Sequence, residues 1–119
     1  MQLKHFTLSE FDSPDAPGSG AKMKPEFLQR LDNARSIANI PFEINSGYRT
    51  VAHNAKVGGV DSSSHTLGWA ADISCKDGAK RWLIINGLLK SGINRIGVSS
   101  GFIHADCDPT KPANVIWTY

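Results

Sequence analysis

The chain has 119 residues, enough for one compact domain with a modest hydrophobic core of its own. Its formal net charge is +2 with acids and bases well mixed, which excludes the clustered basic footprint of a nucleic-acid binder. It has no apolar run near the ~20 residues of a membrane helix, and its two cysteines are too few for a disulfide scaffold.

Met1 to Phe11 lacks the basic start and apolar stretch of a signal peptide. The polypeptide is therefore expected to be made in the cytoplasm. No repeat, low-complexity tract or interdomain linker breaks the chain, so residues 1–119 are read as one domain. Asp12 to Gly20, DSPDAPGSG, is a turn-rich loop. Pro25 to Ala38 reads as a helix, with Pro25 at a first helical position and Glu26 in the first turn. Phe27, Leu28, Leu31, Ala34, Ile37 and Ala38 recur at helical spacing and make one apolar face.

Pro41 ends that region. Phe42 to Asn45 is a short candidate strand, followed by a turn at Ser46 and Gly47. Thr50 to Val57 reads as a short helix closed by Gly58 and Gly59, and Asp61 to Ser64 as polar loop. Ala70 to Ser74 is read as a strand. Ala79 to Lys90 is predicted as a second long helix, with Trp82, Leu83, Ile85, Leu88 and Leu89 as its inner face and Gly92 as its stop. Arg95 to Val98 and Phe102 to Cys107 read as a hairpin around Ser99 to Gly101, and Asn114 to Tyr119 as a last edge strand. The sum is an α+β domain: a small, mainly antiparallel sheet with two longer helices.

His65, Asp72 and His104 stand beside these strands as metal-friendly side chains. A catalytic zinc takes three N or O ligands and keeps a fourth position open, and two histidines with one carboxylate meet that count. His65 lies in a loop, Asp72 on the strand that follows and His104 on the hairpin, so two neighbouring strands could assemble the site. Taken singly, each residue is explained as well by a structural or surface role. His5 and His53 are left on that reading.

The motifs add up to more than their parts. Ser63 to Asp72 reads SSHTLGWAAD, fitting Ser-x-His-x-x-Gly-x-Ala-x-Asp. SGYRT precedes it at Ser46 to Thr50, and His-x-Asp follows at His104 to Asp106. In this order and spacing, with the opening FTLSEFDSPD (Phe6 to Asp15), they resemble the zinc D-Ala-D-Ala carboxypeptidase superfamily, in its small single-domain bacterial and phage branch. That superfamily includes the L-alanyl-D-glutamate endopeptidases of phage lysins and the hedgehog signalling domain.

The resemblance implies one Zn2+ per chain held by His65, Asp72 and His104. It implies that Arg49 lies near the substrate's carboxylate or polarised carbonyl, and that Ser63 contacts substrate or loop. It implies hydrolysis of an amide bond in peptidoglycan stem peptides by a monomer, with no nucleic-acid or membrane partner. Such an enzyme would reach the cell wall by lysis or assisted export. A non-catalytic zinc-containing binding module is the alternative, as the hedgehog domain illustrates. Several relatives carry Asp or Glu three residues before the last histidine, where this chain has Gly101. Asp106 shares a strand face with His104. It could serve as general base, or as a carboxylate that holds a ligand. Asp108 is a weaker candidate for the base. Odd offsets put Cys75 and Cys107 on the face away from the metal, where neighbouring strands could bring them together.

Overall fold

The computed structural model describes residues 2–119. Helix α1 spans Pro25–Ala38, α2 Val51–Lys56 and α3 Gly78–Lys90. The strands are β1 Ile44–Ser46, β2 Ala70–Ser74, β3 Arg95–Val98, β4 Phe102–Asp106 and β5 Val115–Thr118. They form one sheet in the order β1-β2-β4-β3-β5, antiparallel except for the parallel pair β3–β5. The fold is thus α+β with a mostly antiparallel sheet and two longer helices, as the sequence pattern implies.

Local chemistry explains the helix ends. Pro25 opens α1, and Asn39 closes it in the left-handed conformation at φ 56°, two residues before Pro41. Thr50 caps α2 by accepting the backbone N–H of His53, and Asp77 caps α3 by accepting that of Lys80. Within the predicted Asp12–Gly20 loop, the Asp12 carboxylate accepts the N–H groups of Gly18 and Gly20 and fixes the turn.

Period-two alternation splits the sheet into two faces. Ala71 and Ile73 of β2, Ile103 and Ala105 of β4 and Ile96 of β3 are fully buried in the core, with Phe27, Leu28 and Leu31 of α1 and Ile84 and Leu88 of α3. The alternate positions, Asp72, His104, Asp106 and Arg95, lie on the other face, in cross-strand register.

Two helix faces differ from the sequence pattern. In α3 the buried residues are Ile84, Gly87 and Leu88, while Trp82 is 65% exposed and Leu89 51%. The helix turns Gly87 toward α1 because a Cβ there would stand 2.5 Å from the Ala34 carbonyl oxygen. Close packing of the helices therefore sets the inner face, at the expense of the larger side chains. In α1, Ile37 is exposed and Asp32 is buried instead. The Asp32 carboxylate accepts the backbone N–H groups of Lys4 and His5, so this burial is satisfied.

Cys75 and Cys107 are both free and buried. Their strands are neighbours, yet the register pairs Ala70 with Asp106 and Ser74 with Phe102. Each cysteine lies just past an opposite end of that ladder, about six strand residues or roughly 20 Å apart. The approach that parity alone allowed is excluded by the antiparallel register. Among the described residues, no helix is long and apolar enough to cross a membrane.

Candidate metal centre

Asp72 and His104 face each other directly across the β2–β4 pair. His65 reaches the same point from the loop before β2. That loop doubles back through Gly68 at φ +79°, where a Cβ would stand 2.6 Å from the Lys22 carbonyl oxygen, so the position requires glycine. Asp72 Oδ1 lies 3.3 Å from His65 Nε2 and 3.1 Å from His104 Nδ1. One atom of each of the three residues lies within 4.8 Å of the others. Ligands about 2.0–2.1 Å from a tetrahedral zinc stand roughly 3.3 Å from each other, so this donor set fits the ion.

The surrounding groups orient both imidazoles. His65 Nδ1 is 2.8 Å from the Gly47 carbonyl oxygen, which can only accept, so Nδ1 carries the proton and Nε2 presents its lone pair. His104 Nε2 lies 2.6 Å from Asp106 Oδ2, leaving Nδ1 toward Asp72. Burial tends to lower the His104 pKa, but its hydrogen bonds to Asp106 and Asp72 prevail and raise it. Burial likewise tends to raise the Asp72 pKa. Hydrogen bonds from His104 and His65 outweigh it and hold the carboxyl well below the usual carboxylate range.

Asp106 is 1% exposed, and both its oxygens are taken. Oδ2 accepts from His104, while Oδ1 accepts from Arg95 Nε at 2.8 Å and from the Asp108 backbone N–H at 3.1 Å. Arg95 also donates to the Pro112 carbonyl and lies over the Trp117 ring. Sequence reasoning assigned Arg95 only to a strand. The hairpin register that places it opposite Asp106 was the signal that could have found it.

Arg49 donates from Nε to Ser46 Oγ, from Nη1 to Asn54 Oδ1 and from Nη2 to Asp72 Oδ2. It therefore stands beside the His/Asp/His cluster. Ser63 is buried, and its Oγ accepts the backbone N–H of His65, so it shapes the ligand loop. Asp108 lies beyond the end of β4 and turns away into hydrogen bonds with Ser64 and Thr110, so it is not beside the ligands as a continued strand would have it.

These groups line a cleft of about 440 Å3. Val57 to Val60, Lys111, Trp117 and Tyr119 complete its lining. The Asp12–Gly20 loop contributes Asp12 and Pro14 to a second, smaller hollow. Among the described residues, the carboxylates lining the cleft are those of Asp72 and Asp106.

An α+β sheet thus carries a His/Asp/His cluster able to hold a metal ion under an open cleft, with an arginine beside it, the donor set a metallopeptidase needs. The chain belongs to the Peptidase M15 family, whose model matches residues 4–106. That span takes in Arg49, the three metal-friendly residues and Asp106. Among curated proteins, none matches the chain significantly.

Proposed function

We propose that the protein is a zinc-dependent peptidase that hydrolyses an amide bond in peptidoglycan stem peptides, as a D,D-carboxypeptidase or an L-Ala-D-Glu-type endopeptidase. The observation that carries this reading is the convergence of His65 Nε2, Asp72 Oδ1 and His104 Nδ1 on one point beneath the cleft. Zinc held there would polarise the scissile carbonyl and lower the pKa of its bound water to about 7.

The chain's own groups position and hold. Arg49 uses three of its five N–H donors within the protein, leaving two for a substrate carboxylate or carbonyl oxygen. Ser63 keeps His65 in place through its backbone N–H. Of the two roles open to Asp106, the geometry favours support of His104, because neither oxygen is free to take a proton from the cleft. Trp117, Tyr119 and Phe102 offer an apolar wall that limits water around the bond. The site of action would be the bacterial cell wall, with the chain acting as a monomer.

The test is mass spectrometry of purified muropeptides incubated with the protein, with zinc or with a chelator. A zinc-dependent product is expected, and its mass names the bond. His104→Ala should lose both bound zinc and turnover. A second reading, a zinc-containing module that binds cell-wall peptide or a protein partner without cutting it, draws on the lack of an uncommitted carboxylate in the cleft among the described residues. Zinc bound at full occupancy with no product from any muropeptide would establish that reading instead.

A further inference from the structure

Three cationic side chains line the cleft beside the His/Asp/His cluster. Arg49, Arg95 and Lys111 line it against the two carboxylates of Asp72 and Asp106. Arg49 is engaged with Asp72, and Arg95 with Asp106. Lys111 is different. It sits on the loop after β4 with its side chain 23% exposed, and its Nζ donates to Ser64 Oγ at 2.9 Å.

It forms a long ion pair with the buried Asp108, whose hydrogen bonds come from other groups. Asp108 Oδ2 accepts from Ser64 Oγ at 2.7 Å, and Oδ1 accepts from the Thr110 backbone N–H and hydroxyl. Lys111 Nζ lies 3.9 Å from Asp108 Oδ2, too far for a hydrogen bond. An ammonium has three donors, and one short bond to Ser64 leaves two. Ser64 immediately precedes the metal-friendly His65, so this cation is anchored next to the ligand loop. Arg49 is held elsewhere in the cleft, on Asp72 Oδ2.

We propose that Lys111 is a second carboxylate-binding side chain of the cleft. The substrate is then an acidic peptide that presents one carboxylate to Arg49 and another to Lys111. The inference rests on the peptidase reading above and narrows its substrate class. Two separate anchors in one cleft fix the register of the peptide, which one anchor cannot do. A peptide with a single carboxylate would bind in more than one register and react more slowly.

The experiment uses the zinc-loaded full chain and a synthetic stem pentapeptide, together with versions in which each carboxylate in turn is converted to a carboxamide. Both kcat/KM and the dissociation constant from calorimetry are measured for the wild type, Lys111→Met and Lys111→Arg. The wild type should lose roughly tenfold or more on one particular amidated peptide, the range of a charged hydrogen bond. Lys111→Met should lose the same factor on the parent peptide and nothing further on that amidated one. Lys111→Arg should retain the preference.

Equal losses on every peptide in Lys111→Met would make the residue a support of the Ser64 loop and overturn the proposal. So would unchanged binding throughout. If the wild type binds the set but cuts no member, the peptidase reading fails, and the dissociation constants alone decide the role of Lys111. A wild type that binds none of them overturns both.

Discussion

Asp106 shows how much the identity of one hydrogen-bond partner decides. A carboxylate two residues from a metal ligand lies on the ligand's own strand face, whether it serves as a base or as a support. Its partners separate the two. With Oδ2 on His104 and Oδ1 on Arg95 and the Asp108 N–H, it belongs to a relay that fixes the imidazole from behind. In Asp106→Asn, zinc affinity measured by chelator competition should fall about 10–100-fold, with turnover restored at saturating zinc. Unchanged zinc affinity with lost turnover would return Asp106 to the base role. The clustering of His65, Asp72 and His104 was legible in the sequence, because their spacing matched a known pattern. Arg95, Ser64 and Lys111 were not, because their roles depend on cross-strand neighbours and on a loop that returns to the site.

At the scale of elements, helix α1 and the central strands could be read from local signals alone. A proline at the first helical position, an asparagine that tolerates the left-handed conformation and alternation along β2 and β4 all act within a few residues. The buried face of α3 could not be read in this way. Apolar residues nearly surround that helix, so periodicity gives no unique inner face, and the contact with α1 selects Gly87. Gly87→Ala should gain up to about 1 kcal/mol of helix propensity. It should lose more than that to the clash with the Ala34 carbonyl, since overpacking costs about 1–3 kcal/mol. Thermal unfolding should show a net fall in Tm, and a rise would mean that the two helices can separate without cost.

At the scale of the whole molecule, the sheet divides the labour. One face buries the core against α1 and α3, and the other presents the His/Asp/His cluster, so the candidate site rests on strands held rigid from behind. The same division isolates the cysteines. Cys107 is buried, which pushes its thiol up to about 11 and leaves almost no thiolate at neutral pH. A thiol reagent should label neither cysteine appreciably in the native protein and both after unfolding. Recovery of fewer than two thiols from the unfolded, non-reduced protein would contradict the register that holds them apart. Zinc should also stabilise the whole fold, by about 2.7 kcal/mol at a free concentration 100 times its dissociation constant. A chelator should reverse that shift in Tm.

The sequence by itself determined the class of fold, most element boundaries and the three residues that cluster as candidate metal ligands. Those features follow from short-range signals: capping and turn chemistry, hydrophobic period, and a motif whose order survives in one dimension. Only the tertiary structure decided which oxygen of Asp106 meets which partner, and which wall of the cleft carries Lys111. It also decided that Cys75 and Cys107 lie at opposite ends of one ladder. These depend on strand order, register and loop return, which join residues tens of positions apart and leave no local pattern in the chain.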